Sequence, residues 1–578
     1  MYKYRDNLRL FLFWGVICAV ANILCTFASA FESDQGYWVG WIKKLMEEGF
    51  AGFDGNYPPL YVFWLWVVAQ VYSLFDIAVD KNLFLKFTCL WPVFFAHLFL
   101  VDWVCRLLGK FNYPDWKKHL MVGFAALNPA LLLNGPIWGQ VDLFPSVIAV
   151  MAIYCINRPR LIFLASMFYV LALLTKFQMI AFLPVFGGLF IRHWKTSWKG
   201  LPLAVLALVL VLLPFAVGGN LQGMLTRAYV QTTSQYAYAT FNAANIWILL
   251  AGNVSPDNVP IWEVSEYGLG FLLKPVHLGK ILFVIVSILV LVKSVLCRNI
   301  RTAFALCTLN ALAFFMLLPQ MHERYLLYAV PMALCWLVWD MQRGGILCLA
   351  VTAVAAVNIN LLNTFRGDYV WKMDAYAGCI ALLVGILLVL CPRRLEKLVH
   401  KVSSLRLPAF VPYGVLLLIL TVVSGFLAFQ SRPIAAPKGD GYMLVTDLPM
   451  ESSVQRFRSP RINQSVDGHL LTVDNRVYIN GIGTHAPSTI TYTLPEEADS
   501  LFLGVGIDGE CHENGQATFI VKLDGDVVWR RSRVRGAQKP YFASISVQEA
   551  NVLELRTDPE GSDHCDHTDW LNAYVKLR

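Results

Sequence analysis

The chain has 578 residues, 57% of them hydrophobic and 15% charged, with a mean hydropathy of +0.54. That balance excludes a soluble enzyme and indicates a polytopic membrane protein in a lipid bilayer. The formal net charge of +8 is expected in cytoplasmic Lys and Arg clusters and not on a nucleic-acid-binding face, so no nucleic-acid partner is expected.

Lys3, Arg5 and Arg9 flank an apolar run over 8–30, too long for a signal-peptide core and read as a retained first span with a cytoplasmic N-terminus. The chain emerges at Phe31-Glu32-Ser33-Asp34-Gln35. Over 37–50, Trp38, Trp41, Ile42, Leu45 and Met46 recur at helical spacing between Lys43, Lys44, Glu47 and Glu48. This predicts an amphipathic helix on the membrane surface, with Trp38 and Trp41 as interface anchors and not as sugar platforms. Asp54-Gly55 reads as a turn.

Asn56-Tyr57-Pro58-Pro59-Leu60-Tyr61 opens an apolar run to Phe75. If that run crossed fully, every later loop would invert, and the basic cluster from Arg393 to Arg406 would be translocated. It is therefore expected to be re-entrant or packed on the external face. Spans are expected over 83–107, 120–133, 161–174, 179–191, 201–217, 278–295, 303–318, 326–339, 346–362, 376–390 and 412–429, giving roughly thirteen crossings in all. This bookkeeping brings Asp34, Asp54, Asp142, Lys176, Arg227, His322, Glu323 and Arg324 to one side of the membrane, outside the cytoplasm. Gly135-Pro136 breaks the helix before Trp138-Gly139-Gln140-Val141-Asp142, which favours a shaped pocket there.

From about residue 431 the long apolar runs stop and period-two strand patterns begin, such as Thr518-Phe519-Ile520-Val521-Lys522-Leu523. Asp524-Gly525 predicts a hairpin turn. The expected organisation is an α-helical membrane domain over 1–430, a linker over 431–440 and an all-β sandwich over 441–578. Cys511 and Cys565 are the tail's cysteines. Outside the cytoplasm they could form one disulfide; two reduced, buried thiols are the other reading.

External charges at helix ends, with no internal repeat, favour a transferase over a transporter. A sugar on a polyprenyl phosphate has an anionic leaving group. Its transfer needs cations on the phosphate and a carboxylate to take the acceptor's proton. Arg324 and His322, with Glu323 and Lys176 beside them, suit the donor-phosphate role. Asp34 suits the base. Asp142 could orient the acceptor, share base duty or bind a divalent cation (Mg or Mn). Tyr57, Trp138 and Gln140 are expected in the substrate pocket.

These residues carry a resemblance. Asp34 in the first loop, Asn56-Tyr57-Pro58-Pro59-Leu60-Tyr61, Asn128-Pro129 with Trp138-Gly139-Gln140-Val141-Asp142, Leu174-Thr175-Lys176-Phe177-Gln178 and Met321-His322-Glu323-Arg324-Tyr325 occur in order over residues 1 to about 340. They resemble the GT-C integral-membrane glycosyltransferases, and among them the bacterial relatives of the GPI-anchor mannosyltransferases. The resemblance implies inverting transfer of a mannose-like hexose from a polyprenyl-phosphate sugar donor to a glycan, glycolipid or cell-envelope acceptor. The site would face outward from the plasma (inner) membrane, with Asp34 as general base. Two departures stand out: Phe177 replaces a commoner Pro, and no second acid follows Asp34 two residues on. The second departure puts a two-carboxylate metal site in doubt. The alternative reading is a lipid-linked sugar flippase or polysaccharide transporter with a glycan-binding tail.

The tail is similar to the NPCBM carbohydrate-binding modules through Gly481-Ile482-Gly483-Thr484-His485-Ala486-Pro487-Ser488, Gly504-Val505-Gly506-Ile507-Asp508, Phe519 to Gly525 and Asp566-His567-Thr568-Asp569-Trp570. This implies a galactose-binding-like jelly roll in which His485, Asp508, Asp566, Asp569 and Trp570 are the candidate module residues. Asp508, Asp563, Asp566 and Asp569 could hold Ca. Both cysteines fall inside family motifs where none is expected, which favours a local disulfide. Asp563-His564-Cys565-Asp566-His567 fits no standard zinc spacing.

Overall fold

The structure is a computed structural model. It describes residues 2–28, 32–231, 238–252, 257–258, 261, 273–364 and 368–390, and in the tail 434–437, 439, 441–468, 471–474, 476–511, 515–536, 538–561, 563 and 565–578. The chain divides into two compact units: Met1–Asn363 with Asp374–Leu417, and Thr364–Met373 with Leu418–Arg578.

The first unit is helical. Among the described residues, eight helices are long and apolar enough to cross a membrane: Asn7–Thr26, Trp91–Leu108, Asp115–Trp138, Trp194–Val217, Pro275–Val295, Ile300–Leu317, Arg343–Asn360 and Trp371–Leu390. Pro59–Leu74, Leu143–Ile156, Ile162–Thr175, Phe177–Arg192 and Tyr325–Trp339 are apolar but only 10–17 residues long. The described residues thus present eight helices of spanning length and five shorter ones against roughly thirteen expected crossings, a perpendicular span needing about 20 residues. The expected span over 83–107 splits at Leu90, with Pro92 just beyond, into Leu83–Cys89 and Trp91–Leu108. The run after Tyr57 forms the helix Pro59–Leu74. At about 1.5 Å per residue it is shorter than the hydrocarbon core. The expected span over 412–429 lies outside the described residues.

Side-chain caps start several of these helices. Asn82 accepts from the amide of Leu85, Asn128 from Ala130 and Leu131, and Asn299 from Thr302. Each satisfies donors that a helix start leaves open. The expected surface helix forms over Glu32–Glu47. However, Trp38, Trp41, Ile42 and Leu45 are buried against the helical core, so protein covers its apolar face and not lipid.

The tail is all β. One sheet runs Tyr541–Ser546, Ala498–Ile507, His567–Leu577, Gly481–His485, Arg461–Ile462, with Tyr442–Leu444 also on His567–Leu577. The other runs Asp526–Arg535, Gln516–Leu523, Val552–Pro559, Ser488–Thr493, Met450–Gln455. Ile482, Val505, Trp570, Phe519, Val521 and Leu555 fill the core between them. The expected hairpin joins Gln516–Leu523 to Asp526–Arg535. Asp524 and Gly525 take φ of 50° and 96°, the left-handed pair that such a turn demands.

Candidate active site

The site is built on a break in a helix. Residues Leu133–Trp138 widen into a π-turn around Pro136, and Gly139 ends it at φ 100°. That backbone conformation costs a side-chain-bearing residue and suits glycine. The amides of Gly139 and Gln140 return to the carbonyls of Gly135 and Asn134 at 2.7 and 2.9 Å. The chain then delivers Asp142 to the start of helix Leu143–Ile156. The His322-Glu323-Arg324 segment is held separately. It follows Ile300–Leu317 and pairs with an irregular strand, Phe241 donating to the Met321 carbonyl at 2.9 Å and Gln320 to that of Tyr238 at 3.0 Å.

Asp142 is fully buried (0% exposed). One carboxylate oxygen accepts from the Tyr328 hydroxyl at 3.0 Å and lies 3.2 Å from Lys176 Nζ. The other accepts from Asn134 Nδ2 at 3.1 Å and lies 3.7 Å from Arg324 Nε. Burial alone would raise this carboxyl, but the charges of Lys176 and then Arg324 outweigh it and hold it below the usual carboxylate range. Burial likewise works against the Lys176 ammonium, and Asp142 more than restores it, keeping the lysine charged.

The network continues outward. Lys176 donates to the Tyr57 hydroxyl at 3.0 Å, and that hydroxyl donates to Gln140 Oε1 at 3.2 Å. Arg324 pairs with Glu323 at 2.9 Å, and His322 lies 3.8 Å from the same carboxylate. Arg324 also sits 5.8 Å from the ring centre of Trp138. Seven of the residues singled out by sequence thus meet: Tyr57, Trp138, Gln140, Asp142, Lys176, Glu323 and Arg324, with His322 beside them. The buried carboxylate of Glu323 holds Arg324 and His322 in place.

Above this floor opens a cavity of about 1000 Å³, whose lining includes Lys176, Arg227, Lys280, His322 and Arg324 together with Asp54. Arg227 donates to the Phe53 carbonyl at 2.6 Å and fixes the loop before Tyr57. Asp54, read as a turn residue, pairs with Lys44 at 2.5 Å. Lys176 is buried on Asp142. The backbone of Asp34 lies in helix Glu32–Glu47, and its side chain is outside the described residues. The described donor set does not fit Mg or Mn, because the carboxylates of Asp142 and Glu323 are already paired with Lys176 and Arg324.

Sequence reasoning missed Asn134, Tyr328 and Lys86. Tyr328 stands one helical turn after Arg324, a spacing that offered a clue. Lys86 is buried and donates to the carbonyls of Thr26, Ala28 and Ile137 at 3.1, 2.8 and 2.9 Å. It ties the end of the first helix to the π-turn, and nothing in its apolar surroundings signals that.

In the tail, the candidate module residues are mostly interior. Trp570 is 0% exposed and packs edge-on against Phe519 of the facing sheet at 5.2 Å, so no saccharide reaches it. Asp508 accepts from the amides of Thr472 and Glu510, each at 2.9 Å, and Asp566 from that of Gln516 at 2.7 Å. Asp563 pairs with Arg456 at 2.8 Å. Three of the four acids expected to hold Ca, Asp508, Asp563 and Asp566, thus each have a partner within the tail. Asp569 is buried against Asp508. His485 ends strand Gly481–His485, 5.3 Å from His567 and 5.1 Å from Phe457 between ring centres. Cys511 and Cys565 form a disulfide, with Cα atoms 5.4 Å apart.

The NPCBM/NEW2 domain family matches residues 441–576. Alpha-1,3-galactosidase B of Akkermansia muciniphila is 31% identical over 151 residues, which make up 25% of this chain and 19% of that protein. This chain thus spans about a fifth of the length of that curated relative. Among solved structures, the CBM51 of a Clostridium perfringens GH95, in complex with methyl-galactose, is 26% identical. It covers 23% of this chain and 99% of its own, at a TM-score of 0.23. The arabinosyltransferase EmbB from Mycobacterium smegmatis aligns over 98% of this chain and 64% of its own, at 12% identity and a TM-score of 0.31. Both scores are too low to transfer a fold or a function. The tail carries an NPCBM/NEW2 domain.

Proposed function

We propose that the chain is an integral-membrane glycosyltransferase that moves a hexose from a polyprenyl-phosphate sugar to a glycan, glycolipid or cell-envelope acceptor, with inversion, at the extracytoplasmic face. The observation that carries this reading is the convergence of Lys176, His322 and Arg324 on one cavity, held over the buried carboxylate of Asp142. In the reaction, the acceptor oxygen attacks the anomeric carbon as the bond from that carbon to the phosphate oxygen breaks. The electron pair leaves on the polyprenyl phosphate, where Arg324, Lys176 and His322 stabilise the new charge. The acceptor's proton goes to a carboxylate, and Asp34 is assigned that role. Asp142 is assigned to holding the cations and not to proton transfer, since a buried carboxylate paired with two of them is a weak base. The tail would hold acceptor carbohydrate. The Cys511–Cys565 bridge supports an oxidising, extracytoplasmic location for it.

Purified protein in detergent should release polyprenyl phosphate from one member of a panel of polyprenyl-phosphate hexoses. Asp34→Asn should lower that turnover by about 10²- to 10⁴-fold. Detergent also separates the reading from a flippase, which needs a sealed bilayer. No release from any donor, or full turnover by Asp34→Asn, would sink the proposal.

A further inference from the structure

The cavity has a wall that the charge chemistry leaves unexplained. Helix Glu32–Glu47 sends Tyr37, Trp38 and Trp41 into the lining. Tyr37 and Trp41 are four residues apart, hence on one face, and their rings stack at 5.8 Å and 29°. Trp41 is 8% exposed and immobilised. Phe53 meets it edge-on at 5.9 Å, and Tyr57 lies tilted at 5.3 Å. Gly55 closes over it so tightly that a Cβ there would come within 2.7 Å of the indole. Tyr37, by contrast, is 60% exposed.

The three rings form a ladder. It starts at open Tyr37, passes through Trp41 and ends at Tyr57, whose hydroxyl takes a hydrogen bond from Lys176. Polar groups border it, among them Asn56, Gln140 and Gln178. A flat aromatic surface beside amides is the chemistry that recognises a saccharide. The ring face takes the C–H face of a pyranose, and the amides take its hydroxyls. A membrane-interface anchor would turn its ring to lipid, whereas this one turns into the cavity.

We infer that Tyr37 and Trp41 form the acceptor subsite of the cavity, a stacking platform for the terminal pyranose of a glycan acceptor. The inference rests on the transferase reading and deepens it, dividing the cavity into a cationic donor side and an aromatic acceptor side.

The test replaces the exposed ring, which the fold does not need. With whichever polyprenyl-phosphate hexose the native protein turns over, Tyr37→Ala should raise the KM for saccharide acceptors about tenfold, the scale of one lost aromatic contact. Donor KM and slow hydrolysis into water should stay unchanged, and Tyr37→Phe should behave as the native protein. An unchanged acceptor KM in Tyr37→Ala, or a rise confined to the donor, overturns the platform. If no donor is turned over at all, the transferase reading fails and the platform is tested by binding. Saturation-transfer NMR with methyl β-galactoside and methyl α-mannoside then compares the native full chain with Tyr37→Ala. The tail contributes equally to both. A weaker signal in the variant supports the platform, and equal signals overturn it.

Discussion

Remove the Asp142 carboxylate and the buried Lys176 loses its counter-charge, while the half-buried Arg324 keeps only that of Glu323. Opposite unit charges about 4 Å apart attract by about 4 kcal/mol at an effective dielectric constant of 20. Asp142→Asn keeps the shape and the Tyr328 contact but loses the charge, so it should destabilise the protein by about 3–5 kcal/mol. Pairing it with Lys176→Met should cost less than the two single changes together. A double-mutant cycle on denaturation in detergent reads that difference, and strict additivity would mean the pair is not coupled. The three residues were legible in the sequence because charges at the ends of apolar runs are few and stand out. Asn134 and Tyr328 were not, since a polar side chain inside an apolar run announces no partner. Trp570 shows the opposite error. Its motif drew attention, but strand register turns it inward onto Phe519.

Between elements, the decisive device is the Lys86 ammonium, whose hydrogen bonds end on backbone carbonyls. Among the described residues no carboxylate contributes. The side chain stitches Thr26 and Ala28, at the exit of the first helix, to Ile137 in the π-turn that leads to Asp142. Lys86→Met fills the same space and makes none of these bonds. Each orphaned buried acceptor costs about 1–3 kcal/mol, so the variant should lose several kcal/mol of stability. It should also lose donor turnover, because the exit of the first helix, which leads on to Asp34, and the turn carrying Asp142 would no longer be tied. An unaltered denaturation midpoint would show that water replaces the lysine freely. Local chemistry made some elements easy to read. Asp524-Gly525 dictated its hairpin, and Asn82 caps a helix where the sequence suggests a start, whereas Asn128 caps one inside an expected span. Helix ends inside apolar runs were harder. The break at Leu90 depends on Pro92 and on packing, and the π-turn on backbone bonds that no hydropathy pattern encodes.

Across the whole chain, the sequence changes period near residue 431, because helices and strands bury their faces at different repeats. Each unit has its own core. The tail's core holds an unusual pair. Burial, and then the charge of Glu510, pushes the Asp508 carboxyl up to about 7. Burial, and then Asp508, raises Asp569 further. A raised carboxyl keeps its proton in the fold after the unfolded chain has lost it. The folded tail therefore binds more protons than the unfolded one from about pH 4 up to about pH 7, and its stability falls as pH rises through that window. His567 acts in the same direction. Burial opposes its charge, but Glu510 at 2.6 Å outweighs burial and raises it, so its contribution is also lost with rising pH. His485, lowered by burial, opposes both by losing stability as pH falls. The carboxyl pair should dominate. Residues 434–578 expressed alone should unfold at higher urea near pH 5 than near pH 7.5, read from the fluorescence of Trp529 and Trp570. Asp508→Asn should flatten the difference, because an amide has no proton to lose. A tail that gains stability between those two values would mean that the two acids do not share a proton in the folded core.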